Sequence, residues 1–178
     1  MKNLKQSHNK PDISIIDREL EGEIHYIDSF SIEFENVNHY SIDYILTALF
    51  LSSIPGWVRV LLKLRDILVK PFDLETGPIP EQVNVDTSVR YSIGDRAIIF
   101  TVIDRSDTEI VMAEDDKHLY FRTSLCIEKT SRQNLENLHL TTLVQYHNIG
   151  GRLYFMPVKP FHRLIMKTML KKLPHTFK

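Results

Sequence analysis

His118, Tyr120 and Arg122 alternate along Lys117–Glu128, so in an extended strand they share one face and form a polar wall that could orient a ligand. Arg122 has recognition chemistry of its own: its planar guanidinium suits the polar end of a molecule whose remainder lies in apolar surroundings. The plainer reading pairs Arg122 with a surface carboxylate and uses His118 to close the Asp115-Asp116 turn. Reach excludes joint catalysis, because a rise of about 3.3 Å per residue puts His118 and Arg122 ~13 Å apart. Arg152 and Tyr154 follow Gly150-Gly151 at a sheet-to-helix corner, where a guanidinium can also bond the free carbonyls of an element end. His162 falls in the first turn of an amphipathic run, on its polar side. The positive end of a helix dipole disfavours an imidazolium there, which leaves a neutral ring as hydrogen-bond partner or base. These residues form the candidate ligand-binding set, each with structural use as the bland alternative.

Other chemistries fail on spacing. His139 and His147 share a strand face about 26 Å apart, and no HxxxH or CxxC pair is present, so no metal site is expected. Cys126 lies mid-strand beside Ile127 and reads as a small packed residue, not an activated thiol. No serine occupies a Gly-x-Ser-x-Gly elbow. The paired carboxylates Asp115-Asp116 sit in a turn, where such side chains serve the backbone. No catalytic constellation and no cofactor are expected.

The elements that must position these residues are read from periodicity. Ile24, Tyr26, Phe30, Ile32 and Phe34 alternate with His25, Ser29, Ser31, Glu33 and Glu35, a half-buried strand. Ser41 caps a helix with apolar positions Ile42, Ile45, Leu46, Leu49 and Phe50, and Asp43 suits its first turn. A second helix is expected from Pro55 to Lys70, with Trp57, Leu61, Leu64 and Leu68 on one stripe, then a long loop from Phe72 to Val89. Strands follow over 97–103, 109–113, 117–128 and 138–146 as an antiparallel meander, with Leu138, Leu140, Thr142, Val144 and Tyr146 on the apolar side of the last. Gly150-Gly151 then turns the chain with φ values that only glycine adopts cheaply. Residues 152–156 can start a helix that Pro157 and Pro160 would kink, and the secure part of the final helix runs over Pro160–Leu173, with Pro174 just past its end. Its inward face is read as Phe161, Leu164, Ile165, Thr168 and Met169, and its outward face as His162, Arg163, Lys167 and Lys171.

Composition limits the function classes. The chain has 178 residues, with 22 basic and 23 acidic side chains interspersed and a formal net charge of -1. That field does not suit nucleic acid. A single cysteine excludes an internal disulfide framework and fits a reducing, cytoplasmic setting. The polar start Met1–Asp12 lacks a signal-peptide core. The uncharged run Tyr44–Val58 is shorter than the ~20 residues of a spanning helix and is broken at Pro55-Gly56, so no transmembrane segment is expected. Residues 1–22 are expected as a tail, 23–174 as a single domain, and 175–178 as a short C-terminal tail.

Lys117-His-Leu-Tyr-Phe-Arg122, Thr141-Thr142-Leu-Val144, Asn148-Ile-Gly-Gly-Arg152-Leu-Tyr154 and Pro160-Phe-His162 occur in this order. In them the chain resembles the uncharacterised domain-of-unknown-function family 2867 over roughly Tyr44 to Leu173. The resemblance implies similarity to the START-like, polyketide-cyclase (SRPBCC) superfamily. The implied fold is α+β helix-grip: a curved antiparallel sheet packed on a long C-terminal helix, with two short helices after the first strand. The family supplies no catalytic residues, and no dinucleotide-binding glycine fingerprint precedes these motifs.

The leading expectation is a domain that binds a small apolar or amphipathic molecule between sheet and C-terminal helix. It rests on Phe121, Leu125, Val144, Phe161 and Ile165 as facing surfaces. A fully packed core without a pocket is the rival. A cyclase-like enzyme would need Arg122, Tyr154 and His162 to converge on a cavity. Peripheral membrane attachment, through the basic Arg163, Lys167, Lys171 and Lys172 beside Phe161, Leu164 and Met169, ranks third, behind ligand binding and the packed core, because that apolar face is expected to be consumed internally. Periodicity sets no oligomeric state.

Overall fold

Period-two alternation builds one seven-stranded antiparallel sheet, seen in a computed structural model that describes residues 4–52, 89–97 and 99–176. Its strands are β1 (Lys5–Ser7), β2 (Tyr26–Glu35), β3 (Arg96–Ala97), β4 (Phe100–Arg105), β5 (Glu109–Asp115), β6 (Leu119–Lys129) and β7 (Leu135–Tyr146). Their spatial order is β1-β2-β7-β6-β5-β4-β3, so the early strand β2 closes against the last strand. Two helices are described, α1 (Ile42–Ser52) and α2 (Ile149–Thr176). The helix expected from Pro55 and nearly all of the loop expected over Phe72–Val89 lie outside the described residues.

α1 starts as its sequence dictates: the Ser41 hydroxyl accepts the Tyr44 N–H at 3.2 Å. Asp43 does more than suit the dipole. Its buried carboxylate accepts both arms of the Arg105 guanidinium at 3.1 Å and the Tyr91 N–H at 2.8 Å, which ties α1 to β4. Behind that tie, Ile45, Leu46 and Leu49 are buried with Phe30, Ile32 and Phe34 of β2, Leu125 of β6 and Leu138 of β7.

α2 differs from the sequence expectation in three ways. It is 28 residues long and begins at Ile149, not Pro160, because Asn148 caps it: the Asn148 side-chain oxygen accepts the Gly151 N–H at 3.1 Å. Pro157 and Pro160 do not delimit it. Both are exposed, and the carbonyls they leave unbonded, those of Leu153 and Met156, belong to solvent-side residues where water can serve them. Pro174 falls within the final turn, where one lost bond ends a helix soon after instead of before.

The inward face of α2 is rotated from the expected one. Phe155, His162, Met169, Leu170 and Leu173 are buried, whereas Phe161 and Leu164 are 43% and 50% exposed. A helix begun at Pro160 offers too few turns to fix its phase, and the added N-terminal turns bring Phe155 and His162 onto the sheet side. The glycine pair also has another role. Neither Gly150 nor Gly151 has positive φ; a Cβ on Gly151 would collide with the His118 carbonyl, so the pair permits close approach of helix and strand.

Residues 4–20, expected to be a mixed-charge tail, lie on the sheet. β1 pairs with the edge of β2, and Ile16 is fully buried against Val111 and Leu143 on the face opposite α2. Both faces of the sheet are therefore covered, the inner by α1 and α2 and the outer by this segment.

Candidate functional site

Strand register builds a polar row into the inner face. Asp28 of β2 stands opposite Thr142 of β7, and Thr142 stands opposite Thr123 of β6. The adjacent row on one side is Phe30, Leu140, Leu125 and Ile110; on the other side it is Tyr26, Val144 and Phe121. The polar row thus separates two apolar clusters, a large one shared with α1 and a smaller one around Tyr26, Val144 and Phe155.

α2 crosses above this row and sets His162 on it. The ring Nε2 lies 3.1 Å from the Thr142 hydroxyl and 3.6 Å from Asp28 Oδ1. Phe121 meets the imidazole edge-on at 5.9 Å and is itself stacked on Phe100 at 5.5 Å. Asp28 is fully buried. Its Oδ2 accepts the Tyr26 hydroxyl, and the same phenol oxygen accepts the Arg163 Nε–H at 3.1 Å. Arg163 and Lys159 also stand over the Tyr26 ring, at 5.7 Å and 4.6 Å. Burial, then the hydrogen bond to Asp28, push the Tyr26 phenol well above the ordinary tyrosine range, against the opposing pull of Arg163. Tyr26 therefore stays a neutral donor.

Asp28 Oδ1 has no hydrogen-bond partner. At 3.6 Å the His162 ring is too far for a hydrogen bond and attracts the carboxylate only when protonated. A buried carboxylate oxygen left unpaired is costly, so the row has unused acceptor capacity directed into an otherwise apolar interface.

Residues 20–169 match the model of a family described as a protein of unknown function, DUF2867. The chain belongs to that family. No curated protein and no solved structure matches it.

Within this family member, the candidate residues from sequence do not converge. His162 alone lies on the polar row, and not in a first helical turn, so the dipole argument for its charge no longer applies. Tyr154 is half-buried against the smaller apolar cluster, and Arg152 is exposed. Arg122 and Tyr120 face the other side of the sheet. There Arg122 donates to the carbonyls of Ile16 at 3.1 Å and Arg18 at 2.9 Å and to the Tyr120 hydroxyl at 2.8 Å, which replaces the expected pairing with a surface carboxylate. His118 sits at the α2 corner, 3.2 Å from Asn148. The turn before it is closed by Asp116, whose carboxylate accepts the His118 and Leu119 amides at 2.6 and 3.0 Å.

Tyr26, Asp28, Thr142 and Arg163 were not singled out from sequence. The signal was available for Asp28 as the one acidic residue at a position where its strand otherwise puts Tyr26, Phe30, Ile32 and Phe34. No cluster of three or more metal-ligating side chains occurs among the described residues. An open groove of about 270 Å³ lies elsewhere, beside β1, lined by Lys5, Lys10, Ser29, Ser31 and His139 among others. Its polar groups are largely engaged: Lys10 pairs with Asp17 and His139 with Glu128, both at 3.0 Å.

Proposed function

We propose that the domain is helix-grip-like, related to the START-like superfamily, and binds a small amphipathic molecule between the sheet and α2. The observation that carries this reading is the fully buried Asp28, with Oδ1 unpaired, between two apolar clusters. β2 beside β7, with a C-terminal helix laid across the inner face, supports the helix-grip part. A ligand hydroxyl or ammonium would donate to Asp28 Oδ1, and the imidazole of His162 would flank it. The apolar part would lie among side chains such as Phe121, Leu125 and Val144. Because Arg122, Tyr154 and His162 do not share a cavity wall, binding is preferred to cyclase-like catalysis. The single buried thiol supports a reducing, cytoplasmic setting.

Native mass spectrometry of the purified chain, with titration by a polarity-sensitive dye and by a long-chain amine, tests the reading. A retained or bindable amphipathic species is expected, and Asp28→Asn should weaken amine binding by about tenfold or more through loss of a charge-assisted hydrogen bond. A chain that arrives empty and takes up neither probe ends the proposal and leaves the polar row as core packing.

A further inference from the structure

The face of α2 turned away from the sheet is apolar over its first four turns. Ile149, Leu153, Met156, Phe161 and Leu164 recur at spacings of three to five residues, and the first three are 77%, 58% and 61% exposed. This overturns the ground on which membrane attachment ranked low in the sequence, because these apolar side chains are not consumed by the core. The same helix contains no Asp or Glu, yet carries Arg152, Lys159, Arg163, Lys167, Lys171 and Lys172. In a chain whose net charge is -1, that is a local concentration of positive charge. Lys159, Arg163 and Lys167 line one edge, their charges 4.6–5.7 Å from the rings of Tyr26 and Phe30, while Arg152 and Lys171 are exposed.

We propose that this face of α2 docks on an anionic lipid surface, lying flat in the headgroup layer. Charge complementarity favours lipid over a second copy, since apposing two such helices brings cations against cations with no acid on either side. The prolines favour lipid over a dry protein groove. Pro157 and Pro160 free the carbonyls of Leu153 and Met156 on this same face; a protein groove would leave them unpaired, whereas the headgroup region supplies water. The helix does not cross: among the described residues no helix is long and apolar enough to span a membrane. The docking face is opposite the polar row, so the proposal stands or falls separately from ligand binding.

Cosedimentation of the full chain with phosphatidylcholine vesicles, with and without phosphatidylserine, tests it. Binding only to the serine-containing vesicles, reversed by high salt, is the expected result. Leu153→Ser with Met156→Ser should weaken it by about tenfold or more through lost apolar insertion, and Arg152→Gln and Lys171→Gln by about fivefold each. All four positions are exposed, and unchanged circular dichroism verifies that the variants fold. Absence of binding to either vesicle at low salt overturns the proposal, as does binding that these variants leave intact. Self-association without lipid that Leu153→Ser abolishes would assign the face to a second copy. Retention on polyglutamate without vesicle binding would assign it to an acidic polypeptide. Either result overturns the lipid assignment.

Discussion

Asp28 and Cys126 show how little a residue's type says about its role until its strand face is known. Asp28 occupies a position where β2 otherwise presents aromatic and aliphatic side chains, and the sheet accepts it because Tyr26 donates to one oxygen. Cys126 is the opposite case, legible from its mid-strand position: it is buried on the outer face, where burial first, and the neighbouring carboxylates of Glu109 and Glu128 next, push its thiol up to about 12 from an ordinary value near 9.0. Because the folded value is raised, the protonated thiol's contribution to stability is complete below pH ~9 and fades as pH rises toward 12. A disulfide exchange reagent should therefore react with native Cys126 at least about a hundredfold more slowly than with the unfolded chain at pH 8, and the native rate should keep rising past pH ~9 without levelling off, because the thiolate fraction still grows below a raised value. A native rate that levels off near pH ~9, as that of an ordinary thiol does, would show that the site is open to solvent.

At the scale of elements, periodicity made the strands legible and the helix phase illegible. β2, β6 and β7 each present one apolar side, so counting by two finds the buried face. α2 has apolar residues on both sides: Phe155, Met169 and Leu170 inward, Leu153, Phe161 and Leu164 outward. Periodicity alone then fits two phases, and beginning the helix at Pro160 selects the wrong one. Asn148 carried the missing start signal, since asparagine before a helical run is a cap. The glycine pair tests this corner. A Cβ on Gly151 meets the backbone carbonyl of His118, which cannot swing aside, whereas one on Gly150 meets the side chains of Asn148 and His118 at 2.9 and 3.1 Å. Gly151→Ala should lower the denaturation midpoint by the equivalent of about 2–4 kcal/mol as the helix start is forced off β6. Gly150→Ala should cost less than about 1 kcal/mol, because rotamer changes relieve it and alanine favours helix. Equal losses for the two would mean that the close approach at Gly151 is not what the pair supplies.

For the molecule as a whole, the sheet is a partition with different work on its two sides. The inner side carries α1, α2 and the polar row; the outer side is sealed by residues 4–20, whose mixed charge gave no sign of it. Sealing depends on a few long-range polar ties, because the segment contributes little apolar area beyond Ile15, Ile16 and Leu20. The Ser14 hydroxyl and Ile15 amide donate to the Glu109 carboxylate at 2.6 and 2.8 Å, and Arg122 holds the carbonyls of Ile16 and Arg18. Arg122 is thus a tie between the chain's start and its central strand, not an anchor in the inner interface. Arg122→Met preserves much of the side chain's length but removes its donors, leaving the two carbonyls unsatisfied at a cost of about 1–3 kcal/mol. That cost falls on the segment before it falls on the sheet, because β6 keeps its pairing with β5 and β7. Trypsin cleavage after Arg18 should therefore accelerate, and amide exchange rise across residues 14–18, while β6 and β7 stay protected and dye or amine uptake on the inner side is unchanged. Cleavage at the wild-type rate would mean that Glu109 and the Ile16 contact suffice, and loss of inner-side binding would mean that Arg122 reaches the site through the sheet.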